Sequence, residues 1–215
     1  MATKTASRKP AVKKSAKPAA GGAGKAQRSS ASTALIDDLV AGNRVLAQYG
    51  VVDAFGHISA RHDKDPNRYL ISCSRAPEIV KADDILEFDL DSNALNNRRG
   101  LTLYTERFIH GEIYKARPDV TSVIHAHTLS VVMMGVLGLE PRPMYHMAAY
   151  LAQGVPNFDM ETELKDPDLL VGSVSKGVAL AKVLGSHPAV LMRGHGVAVT
   201  GASIPITVGR AIDLK

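Results

Sequence analysis

The sequence predicts an α/β fold in which helices cover both faces of one mixed β-sheet. With 215 residues, 45% of them apolar, the chain can bury one sizeable hydrophobic core. Apolar stripes at helical spacing intermingle with short, strand-like runs. These segments do not follow the strict strand–helix alternation of a parallel sheet, so a mixed sheet between two helical layers is expected.

The first helix is predicted to begin at Ser32 or Thr33, because both residue types cap helix N-termini, and to end at Gly50. The other predicted helices cover Glu106–Ala116, Leu129–Leu137, Val174–Leu184 and Ile204–Lys215. The predicted strands are His57–Arg61, Tyr69–Cys73, Ile85–Leu90, Val120–His127, Ala189–Met192 and Val197–Thr200.

The last predicted helix begins with Pro205, a residue that suits the first helical turn. The sequence ends within about three turns of that position. We therefore expect the folded domain, residues 34–215, to stop within a C-terminal helix that a longer form of the protein would continue.

The positive charge of the chain is concentrated at its N-terminus. Residues 1–33 hold eight of the 26 basic residues and no acidic residue, so the remainder has 18 basic against 21 acidic residues. This segment of Lys, Ala, Pro, Ser and Gly cannot bury enough surface to fold, and we predict a disordered tail. Two roles stay open: non-specific contact with nucleic-acid phosphates, or a solubilising extension without a ligand.

The apolar segments and the cysteine content of the sequence indicate in which cell compartment the protein is expected. The longest apolar run, Leu129–Leu139, has eleven residues, whereas about 20 are needed to cross a bilayer. No apolar segment of a secretory signal follows the basic N-terminus. Cys73 is the single cysteine, so an internal disulfide is excluded, and we interpret it as a core residue on a strand. We expect a cytoplasmic protein without a membrane partner.

Three histidines and one glutamate are candidate metal ligands. His125 and His127 share one face of a predicted strand, which places two imidazoles side by side. His195 lies between two glycines that leave space around its ring. Glu106 begins the helix before the His-X-His strand, and that helix could bring its carboxylate over the strand end. The alternatives are that the histidines are unrelated polar residues and that Glu106 is an acid favoured by the dipole at a helix N-terminus.

The order of these four residues resembles the class II aldolase and adducin family. The resemblance runs from about residue 35 to the end of the chain, and the matching positions include the four candidate ligands. The segments that carry it are Gly56-Xaa-Xaa-Ser59, Ile113–Asp119, Val123–His127 and Gly194-His195-Gly196.

The resemblance implies a three-layer αβα sandwich with a central mixed, largely antiparallel sheet, usually assembled as a homotetramer. It also implies that zinc or manganese is bound by Glu106, His125, His127 and His195. In the family's aldolases the glutamate additionally carries protons, so Glu106 is a candidate acid/base. Adducin-like interaction proteins have lost the ligands, whereas this chain retains all four and is predicted to be an enzyme.

Three loops differ from the sugar-phosphate aldolases of the family, which typically show Gly-Asn, Thr-Gly and Ser-Ser. The corresponding segments here are Gly56-His57, Ser74-Arg75-Ala76 and Tyr104-Thr105. Larger side chains would crowd a phosphate, whereas His57 and Arg75 can be cationic and could hold a carboxylate. The alternatives to carboxylate binding are that His57 is a core residue and that Arg75 is an ordinary surface residue. Residues 69–78 and 84–91 resemble the family's decarboxylases of hydroxylated aromatic or pyridine dicarboxylates.

We therefore expect a metal-dependent lyase that decarboxylates a hydroxylated aromatic or pyridine carboxylate, with Glu106 and His57 as the catalytic residues. The expected substrate-binding residues are His57, Ser59, Ser74, Arg75, Tyr104 and His146. The alternative is a class II aldolase or dehydratase acting on a small hydroxy-carbonyl compound or sugar phosphate. A third hypothesis is an adducin-like interaction protein, which would not require a stoichiometric metal ion.

Overall fold

The centre of the molecule is a seven-stranded sheet with the order β3-β2-β1-β4-β7-β6-β5. The computed structural model describes residues 29–97 and 100–215. Neighbouring strands are antiparallel except β5 and β6, which are parallel. The strands are β1 His57–Arg61, β2 Arg68–Ser72, β3 Ile85–Asp89, β4 Ser122–Ala126, β5 Asn157–Phe158, β6 Ala189–Met192 and β7 Gly196–Gly201. The predicted mixed, largely antiparallel sheet is thus confirmed.

Helices cover both faces of this sheet, as predicted. They are α1 Thr33–Gln48, α2 Arg107–Ala116, α3 Leu129–Leu137, α4 Met160–Leu164, α5 Val174–Leu184 and α6 Ile204–Leu214. Side chains of α1, α3 and α6 share one hydrophobic core with one face of the sheet. Those of α2 and α5 form a second core on the opposite face. The two cores make a three-layer αβα sandwich.

The first helix shows how local sequence sets an element. The side chain of Ser32 accepts a hydrogen bond from the Leu35 backbone N–H and caps the helix. Gly50 adopts a positive φ of 61° just beyond the helix, a conformation that suits glycine. Leu39 and Leu46 are buried against the sheet. The predicted start and end of this helix are confirmed.

Elements too short for a periodic pattern were not predicted. These are the two-residue strand β5, the five-residue helix α4 and three 3-10 helices at Pro77–Ile79, Ala82–Asp84 and His146–Gln153. The strand β5 exists because it pairs with β6, a contact that only the tertiary structure supplies. Several predicted boundaries also shift by one or two residues. Among them, β4 is shorter than Val120–His127, and Glu106 caps α2 rather than forming its first turn.

The predicted basic tail falls mostly on residues 1–28, which lie outside the described residues. The described part begins at Ser29, whose hydroxyl donates to the Glu87 carboxylate at 3.0 Å. The backbone N–H of Ser30 donates to the same carboxylate at 3.1 Å. The last residues of the predicted tail, from Ser29 onward, are therefore hydrogen-bonded to the folded domain.

The helix α3 contains the longest apolar run of the sequence. Val131 and Gly135 are buried, whereas Leu129 and Leu137 are exposed. Within the described parts of the chain, no helix combines the length and apolar composition needed to span a membrane.

The close approach of α2 and α5 requires a glycine at position 177. A Cβ added to Gly177 would lie 2.7 Å from the Phe108 carbonyl oxygen and 2.7 Å from Glu112 Cγ. We expect Gly177→Ala to lower the free energy of unfolding by about 1–3 kcal/mol, because backbone of α2 must shift. Urea denaturation measures this change.

Gly209→Ala is the matched control in helix α6. Apart from its chain neighbours and the backbone of its own helix, no heavy atom of the described residues lies within 4 Å of a Cβ added there. Alanine favours helix more than glycine does, so Gly209→Ala should leave stability unchanged or raise it by up to about 1 kcal/mol. Equal loss of stability in both variants would contradict the packing argument.

Candidate metal centre

Four side chains from separate parts of the chain converge at one end of the central strands. The Nε2 atoms of His125 and His127 are 2.9 Å apart, and that of His195 lies 3.1 Å and 3.2 Å from them. Oε2 of Glu106 is 3.2 Å from Nε2 of both His125 and His195. The four candidate donor atoms all lie within 4.8 Å of one another. The structure thus brings together the four residues whose spacing suggested a metal site.

The elements that carry these residues explain the convergence. His125 lies on β4, His127 directly follows that strand, and β7 pairs with β4 on the adjoining edge. His195 lies in the turn between β6 and β7. That turn needs its glycines: Gly194 has a φ of 71°, and a Cβ on Gly196 would overlap the Ala126 carbonyl oxygen.

The second nitrogen of each imidazole contacts an oxygen acceptor. Nδ1 of His125 is 3.1 Å from the Val197 carbonyl oxygen, and Nδ1 of His195 is 2.7 Å from that of Leu169. Nδ1 of His127 is 3.2 Å from both carboxylate oxygens of Asp53. In its neutral form, each ring can therefore carry its proton on Nδ1 and turn the lone pair of Nε2 inward.

Three inward lone pairs beside a carboxylate repel one another unless a cation lies between them. Five of the six separations, at 2.9–3.2 Å, are close to the edges of about 3.3 Å of a tetrahedron of ligands held about 2.0–2.1 Å from zinc. Oxygen acceptors on the outer nitrogens are also typical of metal-binding histidines. The cluster could therefore hold a divalent metal ion.

Electrostatics keep both carboxylates of this region ionised. Burial alone would raise the pKa of Glu106. His125 and His195 have the larger, opposite effect and hold this pKa far below its ordinary value. Burial likewise raises the pKa of Asp53, whereas hydrogen bonds from Phe55, Gly56 and His127 lower it overall. The centre thus has one anionic candidate ligand and one anionic support.

A cavity of about 510 Å³ adjoins the cluster. Three of the expected substrate-binding residues, His57, Ser74 and Tyr104, line it. The His57 ring lies 4.3 Å from the Tyr104 ring and 5.3 Å from the His125 ring, measured between centroids. The remaining lining residues are Phe55, Thr102, Leu103, Thr105, Glu106, His127, Leu170 and His195.

The structure does not bring the other three expected substrate-binding residues to this cavity. Ser59 is fully buried behind it and hydrogen-bonds to His110 and Tyr114. Nε of Arg75 lies 3.2 Å from Asp84 Oδ2, and the arginine is not part of the cavity wall. His146 is exposed at the start of a 3-10 helix. Their contact with a substrate stays a prediction.

Burial also changes the expected chemistry of His57. Desolvation lowers its pKa well below the ordinary value, and the neighbouring rings of His110 and His125 lower it further. A neutral imidazole rather than a cation therefore faces the cavity. The sequence had suggested a cationic His57.

Comparison with known proteins identifies the family. Residues 37–215 match the sequence profile of the class II aldolase and adducin N-terminal domain. The chain belongs to the class II aldolase and adducin family.

Decarboxylases are among its relatives. Decarboxylase tropJ of Talaromyces stipitatus is 35% identical, over 80% of this chain and 70% of that protein. The 3,4-dihydroxyphthalate decarboxylase of Arthrobacter keyseri is 31% identical, over 80% of this chain and 71% of that protein. The solved structure of an L-fuculose 1-phosphate aldolase superposes with a TM-score of 0.72 at 19% identity, covering 85% of this chain and 82% of that one. The predicted fold and the assignment as a lyase are confirmed.

In this class II aldolase-like domain, a segment missed by sequence reasoning holds two of the candidate ligands. The Leu169 carbonyl accepts from His195, and the Val171 backbone N–H donates to Glu106 Oε1 at 3.0 Å. Lys176 on α5 anchors this segment, residues 166–172. Its Nζ lies 3.0 Å from Asp166, 2.8 Å from Asp168 and 3.2 Å from the Leu170 carbonyl oxygen. No local pattern signalled this role, because the contacts join distant parts of the chain.

Removal of one candidate ligand tests the metal centre. We expect the purified chain to bind about one divalent ion, and His127→Ala to reduce metal content to a small fraction, since the site would lose one of its four candidate ligands. Inductively coupled plasma mass spectrometry measures this. His187→Ala is the control, because His187 bonds to the Gln153 carbonyl outside the cluster. Full metal content in His127→Ala would refute the assignment.

Neutralisation of the anchor tests the segment 166–172. Lys176→Met keeps the aliphatic stem but removes the ammonium that holds Asp166 and Asp168, so Glu106 and His195 should be oriented less firmly. We expect metal affinity to fall about 10–100-fold, the usual effect of losing such outer contacts. Chelator competition measures the Kd. Lys182→Met, on the same helix, should leave it unchanged, and equal Kd values in both variants would contradict the anchoring role.

Proposed function

We propose that this chain is a divalent-metal-dependent decarboxylase of a hydroxylated aromatic or pyridine carboxylate. Two relatives at 31–35% identity carry the name decarboxylase, and one of these names dihydroxyphthalate as its substrate. The aldolase or dehydratase alternative also fits the family. A stoichiometric ion would distinguish either enzyme from an adducin-like interaction protein.

The composition of the cavity wall is the observation that carries the proposal. Tyr104, Phe55 and Leu103 offer flat or apolar surface beside the four-residue cluster. No lysine or arginine of the described residues lines the cavity. A sugar phosphate would be held by fixed cations or a nest of backbone N–H groups, whereas a ring with a hydroxyl and a carboxylate fits an apolar wall with a few polar groups.

Residues Glu106, His125, His127 and His195 would hold the ion. When bound there, a divalent ion supplies Lewis-acid stabilisation of the electron pair that remains after the carbon–carbon bond breaks. Three imidazoles and one carboxylate suit zinc, and manganese also accepts such ligands. We propose zinc or manganese on this ground. The homotetramer implied by the family resemblance stays a proposal as well.

Protons would be moved by Glu106. Among the described residues of the cavity wall it is the one carboxylate, so it is placed to accept the proton of a substrate hydroxyl. The bond from the ring to the carboxylate then breaks, carbon dioxide leaves, and the electron pair stays on the ring. Glu106 returns its proton to the ring carbon, and solvent restores the hydroxyl proton. The net reaction consumes one proton and releases carbon dioxide.

The departing carboxylate would be held by His57. The ring of this residue is 5.3 Å from that of His125 between centroids, so one group can contact His57 while another reaches the cluster. A neutral N–H donor holds a carboxylate without the strong attraction of a full cation. Such a contact opposes the loss of the carboxylate charge less than an arginine would.

A substrate panel tests the proposed function. We expect carbon dioxide release from 3,4-dihydroxyphthalate or a hydroxypyridine dicarboxylate, loss of that activity after chelation, and recovery on adding zinc or manganese. His57→Asn should lower kcat/KM about 10–100-fold, which corresponds to the loss of a hydrogen bond to an ionised group.

The control substitution is His187→Asn, which lies outside the cavity and should keep kcat/KM. L-fuculose 1-phosphate serves as the aldolase substrate, and His57→Asn should not create its cleavage because Tyr104 still occupies the cavity wall. Efficient cleavage of the sugar phosphate by the unmodified chain, without carbon dioxide release from any panel member, would replace the decarboxylase by an aldolase.

A further inference from the structure

A row of four buried side chains leads from helix α2 to the cavity. The Tyr114 hydroxyl is 2.7 Å from Ser59 Oγ, which is also 2.6 Å from His110 Nδ1. Nε2 of His110 is 2.8 Å from His57 Nδ1. All four residues are at most 1% exposed, and His57 forms the end that lines the cavity. Neither Tyr114 nor His110 lines that cavity, so the proposed reaction uses only His57 at the end of the row and assigns no role to Tyr114, Ser59 and His110.

The Tyr114 hydroxyl fixes the direction of the hydrogen bonds. Among the described residues, Ser59 Oγ is the one acceptor within hydrogen-bond distance of this hydroxyl. The backbone N–H of Val123, which also interacts with it, is a donor. A buried hydroxyl proton without an acceptor is strongly unfavourable. Tyr114 therefore donates to Ser59.

The remaining protons follow in order. Ser59 accepts from Tyr114, so its own proton goes to His110 Nδ1. Nδ1 of His110 accepts this proton and therefore carries none of its own, so His110 is a neutral ring. Its single ring proton must then lie on Nε2, which donates to His57 Nδ1. A neutral His57 carries its proton on the other nitrogen, Nε2.

We propose that His110, directed by Ser59 and Tyr114, is a positioning residue that fixes His57 as the Nε2–H tautomer. Nε2 of His57 has no hydrogen-bond partner among residues 29–97 and 100–215, and the residue lines the cavity. The ring therefore offers an N–H donor rather than a lone pair. This selects an anionic or carbonyl oxygen of the ligand and rules out His57 as a general base.

The identification of that oxygen as a substrate carboxylate rests on the proposed function, whereas the tautomer can be measured without substrate. Histidine side-chain ¹⁵N NMR of the zinc-loaded full chain reports which nitrogen is protonated, and the disappearance of signals in His57→Gln assigns them. We expect the Nε2–H form of His57 to predominate by about tenfold or more.

Variants along the row test whether the direction of its hydrogen bonds, rather than packing alone, sets the tautomer of His57. Ser59→Ala removes the link to Tyr114, and Tyr114→Phe removes the directing proton while keeping the ring. Both should reduce the preference for Nε2–H severalfold, toward a mixture of tautomers. Ser59→Thr retains the hydroxyl and should retain the preference. Ser122→Ala is the control, because it removes another fully buried serine hydroxyl, one that bonds to the Ser59 carbonyl.

Two results would overturn the inference: His57 protonated mainly on Nδ1 in the unmodified chain, or an unchanged tautomer ratio in Ser59→Ala. The Ser59→Thr variant keeps the comparison informative if Tyr114→Phe fails to fold. A chain with the Nε2–H tautomer that releases no carbon dioxide would instead overturn the proposed function and leave this inference standing.

Discussion

Convergence of three imidazole lone pairs on one buried carboxylate is the constraint on which the rest of the structure depends. Such a cluster holds together only if a cation balances it and if each ring is prevented from turning its N–H inward. The chain meets the second condition with three different acceptors: the Val197 carbonyl, the Leu169 carbonyl and the Asp53 carboxylate. These acceptors come from β7, the segment 166–172 and the loop before β1. Much of the fold therefore serves to orient four side chains.

The central strands connect this cluster to the cavity. His57 on β1 lies directly opposite His125 on β4, and Ala198 of β7 lies opposite His125 on the other side. Because strand register is fixed by the buried faces of the sheet, the distance between His57 and the cluster is fixed as well. Helix α2 contributes to both regions, since Glu106 caps it and His110 lies one turn further along. One rigid unit thus holds a candidate ligand and the support of a cavity residue.

Sequence reasoning succeeded where the signal was local. The i, i+2 spacing of His125 and His127 places both on one strand face, and the helical spacing after Ser32 marks α1. It failed where function depends on contacts between distant segments. Asp53, His110 and the segment anchored by Lys176 have ordinary local patterns, and only the folded chain shows what they touch. Ser59 was expected at the substrate, but β1 turns it toward α2. Arg75 was expected to bind a carboxylate, and it pairs with Asp84 of its own domain.

Charge explains why a neutral row of side chains lies beside a cation site. A divalent ion held by one carboxylate and three neutral imidazoles leaves one net positive charge near the cavity. A protonated His57 at 5.3 Å between ring centroids from His125 would add a second positive charge in a region of low dielectric. Burial and the hydrogen bond from His110 keep this ring neutral while retaining its N–H. This distribution of charge matches a ligand that places a single negative charge near the ion and a second oxygen atom near His57. A phosphate dianion would need further positive charge, and the described residues of the cavity wall include no lysine or arginine to supply it.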